Sequence, residues 1–434
     1  MKKVLIISYY WPPCGGIGVL RCLKIAKYIR QFGWEPVIFT AEGADYPSID
    51  HTNEKDIHPD TVILRQKIWE PYNIYRAITG KKKNTNVNNV FYTKEEKAGF
   101  AHNLSVWIRS NFFIPDARCM WIKPSVKFLT QYLKDNPVDA IFSDGPPHSN
   151  TRIATLLKQK TGIPWLADFQ DPWTQIDYFS LLKLTSKGLK KHQKLEQEAF
   201  VAADKITIVS PTWKKELEII GARNVSVIPW GYDPDDYDHL LHNPSDNFII
   251  SHLGILGYDR NPEILFKVIA ELISVNPLFK QKVRLKFPGQ IDYSVKEYVS
   301  RYKLDNFVDL PGNLNRKEAL QLMKDSNLLL LLLNKQANAK GRIPGKLFEY
   351  LAVKRPILCI GDTNGDSANI ITKTKSGYTS SYSDEKILKD TLVEEFSNFI
   401  SGLNQEDTAS EIQEYSMLNI CESIAEHLNK ICRK

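Results

Sequence analysis

The sequence has no run of about 18 apolar residues, the length a membrane-crossing helix needs, so no such helix is expected. The six leucines Leu328–Leu333 are far too short for one and read as a buried parallel strand. The N-terminal Met-Lys-Lys-Val-Leu-Ile-Ile-Ser loses its apolar run at Ser8, with no small-residue cleavage site after it. It reads as a first strand rather than a leader. Cysteine is sparse: Cys14, Cys22, Cys119, Cys359, Cys421 and Cys432 are scattered without a CxxC pair. That pattern fits a reduced cytoplasmic protein without structural zinc. H-E-x-x-H, G-x-S-x-G and P-loop motifs are missing, and so is the dinucleotide GxGxxG. Asp233-Pro-Asp235 has the form of a metal-binding DxD, but it sits in a linker-like stretch, so no metal and no resident cofactor is expected.

What is present is globular. A chain of 434 residues exceeds one ordinary core, so two domains are expected. Apolar residues at 43% and charged residues at 25% are typical of soluble proteins. The net charge of +7 is concentrated in Gly80-Lys-Lys-Lys-Asn-Thr-Asn and in Lys183, Lys187, Lys190, Lys191 and Lys194. Two readings stand for these clusters: solvated helix face and loop, or attraction to an anionic membrane surface or a phosphate-bearing acceptor. No motif supports nucleic acid as a partner.

Strand-length apolar runs alternate with helical patterns. Val4–Ser8, Pro36–Thr40, Asp139–Ser143, Pro164–Asp168, Lys205–Val209 and Val225–Ile228 form one series. Ile249–His252, Val283–Phe287, Leu328–Leu333 and Ile357–Ile360 form a second. Such alternation predicts an α/β protein of two doubly wound, Rossmann-like domains with parallel sheets. The polar, proline-containing stretch Asp233–Asn247 suits a linker, which places the domains at 1–240 and 241–414. The final helix, about 415–434, carries Ile420, Ile424, Leu428 and Ile431 on one face with no strand after it. It is expected to cross back onto the first domain. Residues 80–95, polar and rich in Lys and Asn, read as a mobile loop.

The most informative segment is Gly341-Arg-Ile-Pro-Gly-Lys-Leu-Phe-Glu-Tyr-Leu-Ala, a basic loop feeding a helix. Arg342, Lys346 and free backbone N–H groups at a helix start suit a phosphate. Glu349, three residues after Lys346 and on the same face, suits a ribose diol. Together they read as a pocket for a nucleotide diphosphate. Other candidates lie where strands end, which is where open α/β sheets bind ligands. Tyr9-Tyr-Trp-Pro-Pro-Cys-Gly15-Gly16 reads as an anion-binding turn or simply a tight turn. Asp144-Gly-Pro-Pro-His148 places an imidazole before a helix, as a cleft residue or a structural one. In Asp168-Phe-Gln-Asp171-Pro-Trp173, Asp171 reads as a proton acceptor or as a helix cap before Pro172. Arg260, after Gly254-Ile-Leu-Gly-Tyr-Asp, reads as a phosphate partner or a surface residue. Ile114–Trp121, with Trp107, Phe112 and Phe113, mixes aromatic and basic residues, as an interface to a sugar or lipid acceptor or as a core helix.

Taken in order, several segments resemble retaining glycosyltransferases of family 4: Tyr9-Tyr-Trp-Pro-Pro-x-Gly-Gly, Ile163-Pro with Asp171-Pro-Trp, Ala203-Asp-Lys-Ile-Thr-Ile-Val-Ser-Pro, Ile228-Pro-Trp-Gly-Tyr-Asp and Pro344-Gly-Lys-Leu-Phe-Glu-Tyr-Leu-Ala. The resemblance covers almost the whole chain and implies the GT-B fold, two Rossmann-like domains facing a central cleft. It implies a donor site of Gly15, Gly16, Arg260, Arg342, Lys346 and Glu349. His148, Asp171, Arg260 and Lys346 would carry the chemistry. Trp11, Asp144, Asp171, Trp173 and Trp121 would form the acceptor side. Glu349 matches the glutamate that closes the family's E-x7-E motif, whereas Gly341 stands where the first glutamate would be. Ile255 replaces the usual Arg of the second domain's first turn, and Trp230 the usual Asn of Ile-Pro-Asn-Gly.

The expected activity is metal-independent transfer of a sugar, with retention, from a nucleotide-diphosphate sugar to a hydroxyl acceptor that is a glycan or a lipid-linked molecule. The expected setting is bacterial surface polysaccharide or glycolipid assembly, in the cytoplasm or peripherally on the inner face of the membrane. Two alternatives share the fold: a nucleotide-sugar epimerase and a non-catalytic sugar-binding homologue.

Overall fold

The structure is a computed structural model and describes residues 1–71, 100–176, 179, 182–336, 339–403 and 411–433. The Lys-rich cluster at 80–86 and the whole of 80–95 lie outside the described residues.

The first sheet contains β1 (Lys2–Ile7), β2 (Trp34–Glu42), β3 (Val62–Lys67), β4 (Ala140–Gly145), β5 (Trp165–Phe169), β6 (Lys205–Ile208) and β7 (Val225–Val227). Its spatial order is β3-β2-β1-β4-β5-β6-β7. The second contains β8 (Phe248–Ser251), β9 (Val283–Lys286), β10 (Val308–Asp309), β11 (Leu328–Leu332), β12 (Ile357–Ile360) and β13 (Gly377–Ser380). Its order is β10-β9-β8-β11-β12-β13. The strands pair in parallel throughout both sheets. Strand order reverses between β1 and β4 in one sheet and between β8 and β11 in the other. Those are the positions where a doubly wound sheet opens a crevice at its carboxyl edge.

The central strands are the apolar runs read from the sequence. β3, β10 and β13 escape that reading for one reason: each lies at a sheet edge. The side chains of β3 are all partly or fully exposed, β10 is two residues long, and β13 buries only Ser380. An edge strand with a wet face carries no continuous hydrophobic signal.

Alternation along β1 shows how both faces are covered. Leu5 and Ile7 enter one core cluster, with Phe39, Trp121 and Trp165, while Val4 and Ile6 enter the other. That second cluster takes Leu23, Ala26 and Ile29 from the helix Ile17–Tyr28 and the turn that ends it. It also takes Ile420, Ile424, Leu428 and Ile431 from the helix Met417–Ile431. The second sheet has its own core around Phe248, Leu265, Leu285, Leu330 and Leu358.

The described residues divide into two compact units. One runs to Gly231 and resumes at Met417; the other spans Tyr232–Ser416. The division therefore falls at Gly231/Tyr232 and not at 240/241. Residues 232–240 are tied into the second unit, where Asp236 pairs with Arg316 at 3.5 Å and the Tyr237 hydroxyl donates to Glu349 at 3.4 Å.

Candidate functional site

In the second unit the candidate residues gather at the carboxyl edge of β8 and β11. The chain leaves β8 through Gly254, at φ +111°. Gly289, at φ +126°, lies against it so closely that a Cβ there would stand 2.0 Å from the Gly254 carbonyl oxygen. The missing side chain at Gly254 leaves room for Lys346. Its Nζ donates to the Leu253 carbonyl at 2.7 Å and would sit 3.1 Å from a Cβ on Gly254. Lys346 opens the helix Lys346–Val353, whose N-cap Gly345 offers no side-chain cap. Leu347 and Phe348 donate their backbone N–H groups to the carbonyls of Pro344 and Gly345 at 3.0 and 3.1 Å, so the positive end of the helix rather than a set of open donors faces the site. Burial, reinforced by the charges of Arg260 and Arg342, lowers the Lys346 pKa to about 7, with Glu349 opposing the shift. A site that depresses a lysine this far, with two further cations nearby, is suited to receive an anion.

Arg260 is braced by its neighbour Asp259 through a two-point contact at 3.0 and 2.9 Å. The backbone of Arg342 is held by the Ser367 hydroxyl at 2.6 Å. Glu349 faces the same region, but its Oε1 already accepts from Arg316 at 2.9 Å and from Tyr237 at 3.4 Å. Gly341, where the resemblance expects a glutamate, is buried at the end of the turn Ala339–Gly341.

In the first unit Gly15 and Gly16 precede the helix Ile17–Tyr28. Gly16 is at φ +86° and the helix start has no side-chain cap. A Cβ on Gly15 would meet the Ser48 hydroxyl at 2.8 Å. Asp144 ends β4 fully buried, accepting from Ser8 at 3.1 Å and Asn150 at 2.7 Å. Burial raises its pKa to about 7. It is a braced interior carboxyl and not an open acceptor contact. His148 opens the next helix and stacks flat on Trp173, with centroids 4.4 Å apart and planes within 2°. Burial, with a smaller push from His192, lowers its pKa to about 3, so its imidazole is neutral at pH 7. Trp173 in turn donates from Nε1 to His192 Nδ1 at 3.1 Å. Asp171 is half-buried in the turn that follows β5.

Two aromatic candidates are elsewhere. Trp121 is fully buried, stacked on Phe39 at 5.1 Å, and donates to the Gln66 carbonyl at 3.1 Å. Trp11 is fully buried in the cluster under the C-terminal helix. Their size made them core residues, so neither offers a face to an acceptor. The Ile114–Trp121 segment braces rather than binds: Asp116 accepts from the Ser149 backbone and hydroxyl, each at 2.8 Å, at the helix start beside His148. Arg118 lies buried over the Tyr9 ring at 4.6 Å. Trp107 and Phe112, by contrast, are exposed.

Sequence reasoning missed the groups that hold these residues in place. Arg21 and Asp168 form a fully buried two-point ion pair at 2.6 and 3.0 Å, to which Thr207 and the carbonyls of Ile228 and Pro229 add hydrogen bonds. A signal existed, since an Asp inside the buried strand Trp165–Phe169 needs a charged partner. For Arg316, far from Glu349 in the chain, no local signal pointed to the pairing.

No protein-family model matches the chain. No curated protein matches its sequence. Solved structures do match along its whole length. A glycosyltransferase from Rickettsia africae ESF-5 is 17% identical, covers 100% of this chain and 99% of its own, and superposes with a TM-score of 0.62. HepE from Anabaena, in complex with UDP and glucose, is 14% identical over 99% of this chain and 100% of its own, with a TM-score of 0.61. A TarM variant from S. aureus, in complex with Fondaparinux, alpha-GlcNAc-glycerol and UDP, is 13% identical over 99% of this chain and 100% of its own, with a TM-score of 0.62. At these identities the likeness establishes the fold: two Rossmann-like domains of the GT-B type.

Proposed function

We propose that this protein is a glycosyltransferase that moves a sugar from a nucleotide-diphosphate sugar to a hydroxyl acceptor. The observation that carries the reading is Lys346, its pKa lowered to about 7 beside Arg260 and Arg342, at an uncapped helix start on the carboxyl edge of the second sheet. That arrangement suits a diphosphate, with Glu349 nearby for the ribose. Structures of the same fold were solved with UDP. The finer reading is a retaining, family-4-type enzyme that needs no metal, because Lys346, Arg260, Arg342 and backbone dipoles stabilise the departing phosphate. The acceptor hydroxyl attacks the face from which the phosphate leaves, and that phosphate takes the proton. Neutral His148, half-buried Asp171 and the turn at Gly15 and Gly16 line the acceptor unit's sheet edge. An acceptor that is a glycan or a lipid-linked molecule of bacterial surface polysaccharide assembly, met at the inner face of the cytoplasmic membrane, agrees with the basic helix Ser186–Ala202 and the exposed Trp107 and Phe112.

A second reading, a non-catalytic sugar-binding homologue, rests on Gly341. Two readouts on the same preparation separate them: nucleotide binding, and release of the nucleotide from its sugar when a hydroxyl acceptor or water is offered. Purified protein is screened by thermal shift against UDP, GDP, ADP, CMP and dTDP-sugars, with and without EDTA, and the screen is repeated on Glu349→Ala. A ligand at about 100 times its Kd stabilises by about 2.7 kcal/mol. We expect one nucleotide to stabilise the wild type regardless of EDTA. Glu349→Ala should weaken its binding by about 1.5–3 kcal/mol. Stabilisation without transfer to any hydroxyl acceptor favours the binding homologue; no stabilisation by any nucleotide overturns the donor site.

A further inference from the structure

Arg316 is the first residue of the helix Arg316–Asp325, beside a capping box formed by Asn315 and Glu318. A cation at a helix N-terminus opposes the helix dipole, so the placement does nothing for the helix itself. What it does is hold Glu349. Arg316 Nη1 reaches Glu349 Oε1 at 2.9 Å, and its Nη2 lies 3.5 Å from Asp236 Oδ2, which anchors the guanidinium from behind. The Tyr237 hydroxyl donates to the same Oε1 at 3.4 Å. Two donors occupy the two lone pairs of Oε1. Among the described residues these hydrogen bonds engage Oε1 and leave Oε2 to accept others, on a side chain that is still 14% exposed and therefore reachable by a ligand. Arg316 is thereby held between two carboxylates, and the free carboxylate oxygen of Glu349 is an acceptor suited to hydroxyl donors.

We propose that Arg316 is a positioning residue that makes the site selective for ribose over deoxyribose nucleotides, by clamping Glu349 Oε1 so that Oε2 is presented to the sugar diol. The proposal rests on the donor reading of Glu349 given above and deepens it. Without the clamp the carboxylate turns freely, and the advantage of the 2′-hydroxyl is lost while the diphosphate contacts of Lys346 remain.

Isothermal titration with UDP and dUDP, GDP and dGDP, and ADP and dADP tests this. The wild type should bind the ribose member of one pair more tightly by about tenfold or more, as a charge-assisted hydrogen bond implies. In Arg316→Gln the ratio should fall below about threefold, through loss of ribonucleotide affinity with deoxynucleotide affinity unchanged. Arg316→Lys, a point charge without the fork, should fall between. Tyr237→Phe, which removes the weaker donor, should reduce the ratio by a few-fold and serves as the deciding variant if Arg316→Gln fails to fold. A ribose preference that stays at the wild-type ratio in these folded variants overturns the proposal. A wild type that binds nucleotides without ribose preference overturns it too, yet leaves the diphosphate cradle standing. A wild type that binds none of the six, and that no nucleotide of the thermal screen stabilises, overturns the donor reading itself.

Discussion

Lys346 shows what one buried side chain implies. Its folded-state pKa of about 7 lies below the ordinary 10.5. Between those values the unfolded chain binds the extra proton, so this lysine makes stability rise with pH from 7 towards 10.5. A diphosphate favours the ammonium form and reverses the preference. Nucleotide binding at pH 8 should therefore take up a proton, and affinity should weaken as pH rises from about 7 to 9. Calorimetry in two buffers of different ionisation enthalpy reads the uptake, which should vanish in Lys346→Met. Equal heats in both buffers for the wild type would contradict the assignment. The Arg21–Asp168 pair gives a second residue-scale prediction. Asp168→Asn strands a fully buried guanidinium, which costs about 3–5 kcal/mol, whereas Arg21→Met/Asp168→Leu should recover part of the loss. Urea midpoints of the single and double variants decide it; a single variant within about 1 kcal/mol of wild type would mean the site rehydrates.

At the scale of the element, turns decide more than strands. Gly289 and Gly254 are pressed back to back where their strands end, and the obstacle to a side chain on Gly289 is backbone that cannot move aside. Gly289→Ala should cost at least about 3 kcal/mol, the upper end of stored backbone strain, and should displace the turn on which Lys346 rests. Gly312 provides the control. It has φ +80°, but a Cβ added there would meet nothing within 4 Å, so Gly312→Ala should cost about 1–2 kcal/mol. Thermal melts of the two variants should differ clearly, and equal melting temperatures would count against the close approach. The strand centres were legible because both faces are buried and their sequences are nearly continuous in Val, Ile and Leu. Edge strands β3, β10 and β13 were not, because solvent on one side removes that signal.

At the scale of the whole molecule, the chain's last helix belongs to the first unit. Ile420, Ile424, Leu428 and Ile431 are all buried there, against Leu23, Ala26 and Ile29. At about 1.5–3 kcal/mol for each large aliphatic side chain, that face contributes roughly 6–12 kcal/mol, comparable to the stability of an entire domain. A chain ending at Ser416 should therefore lose the cooperative unfolding of its first unit. Limited proteolysis and circular dichroism would show it, and an unchanged melting transition would refute it.

The alternation of strand and helix, the parallel sheets and the grouping of Lys346 with Glu349 were readable because each depends on residues close in sequence. Periodicity and i,i+3 spacing are local properties of the chain. The clamp of Arg316 on Glu349, the Arg21–Asp168 pair, the contact between Gly254 and Gly289 and the burial of Trp121 and Trp11 were decided by tertiary structure alone. Each joins segments far apart in the chain, and partners of that kind are chosen by how sheets and helices pack, which no local pattern encodes.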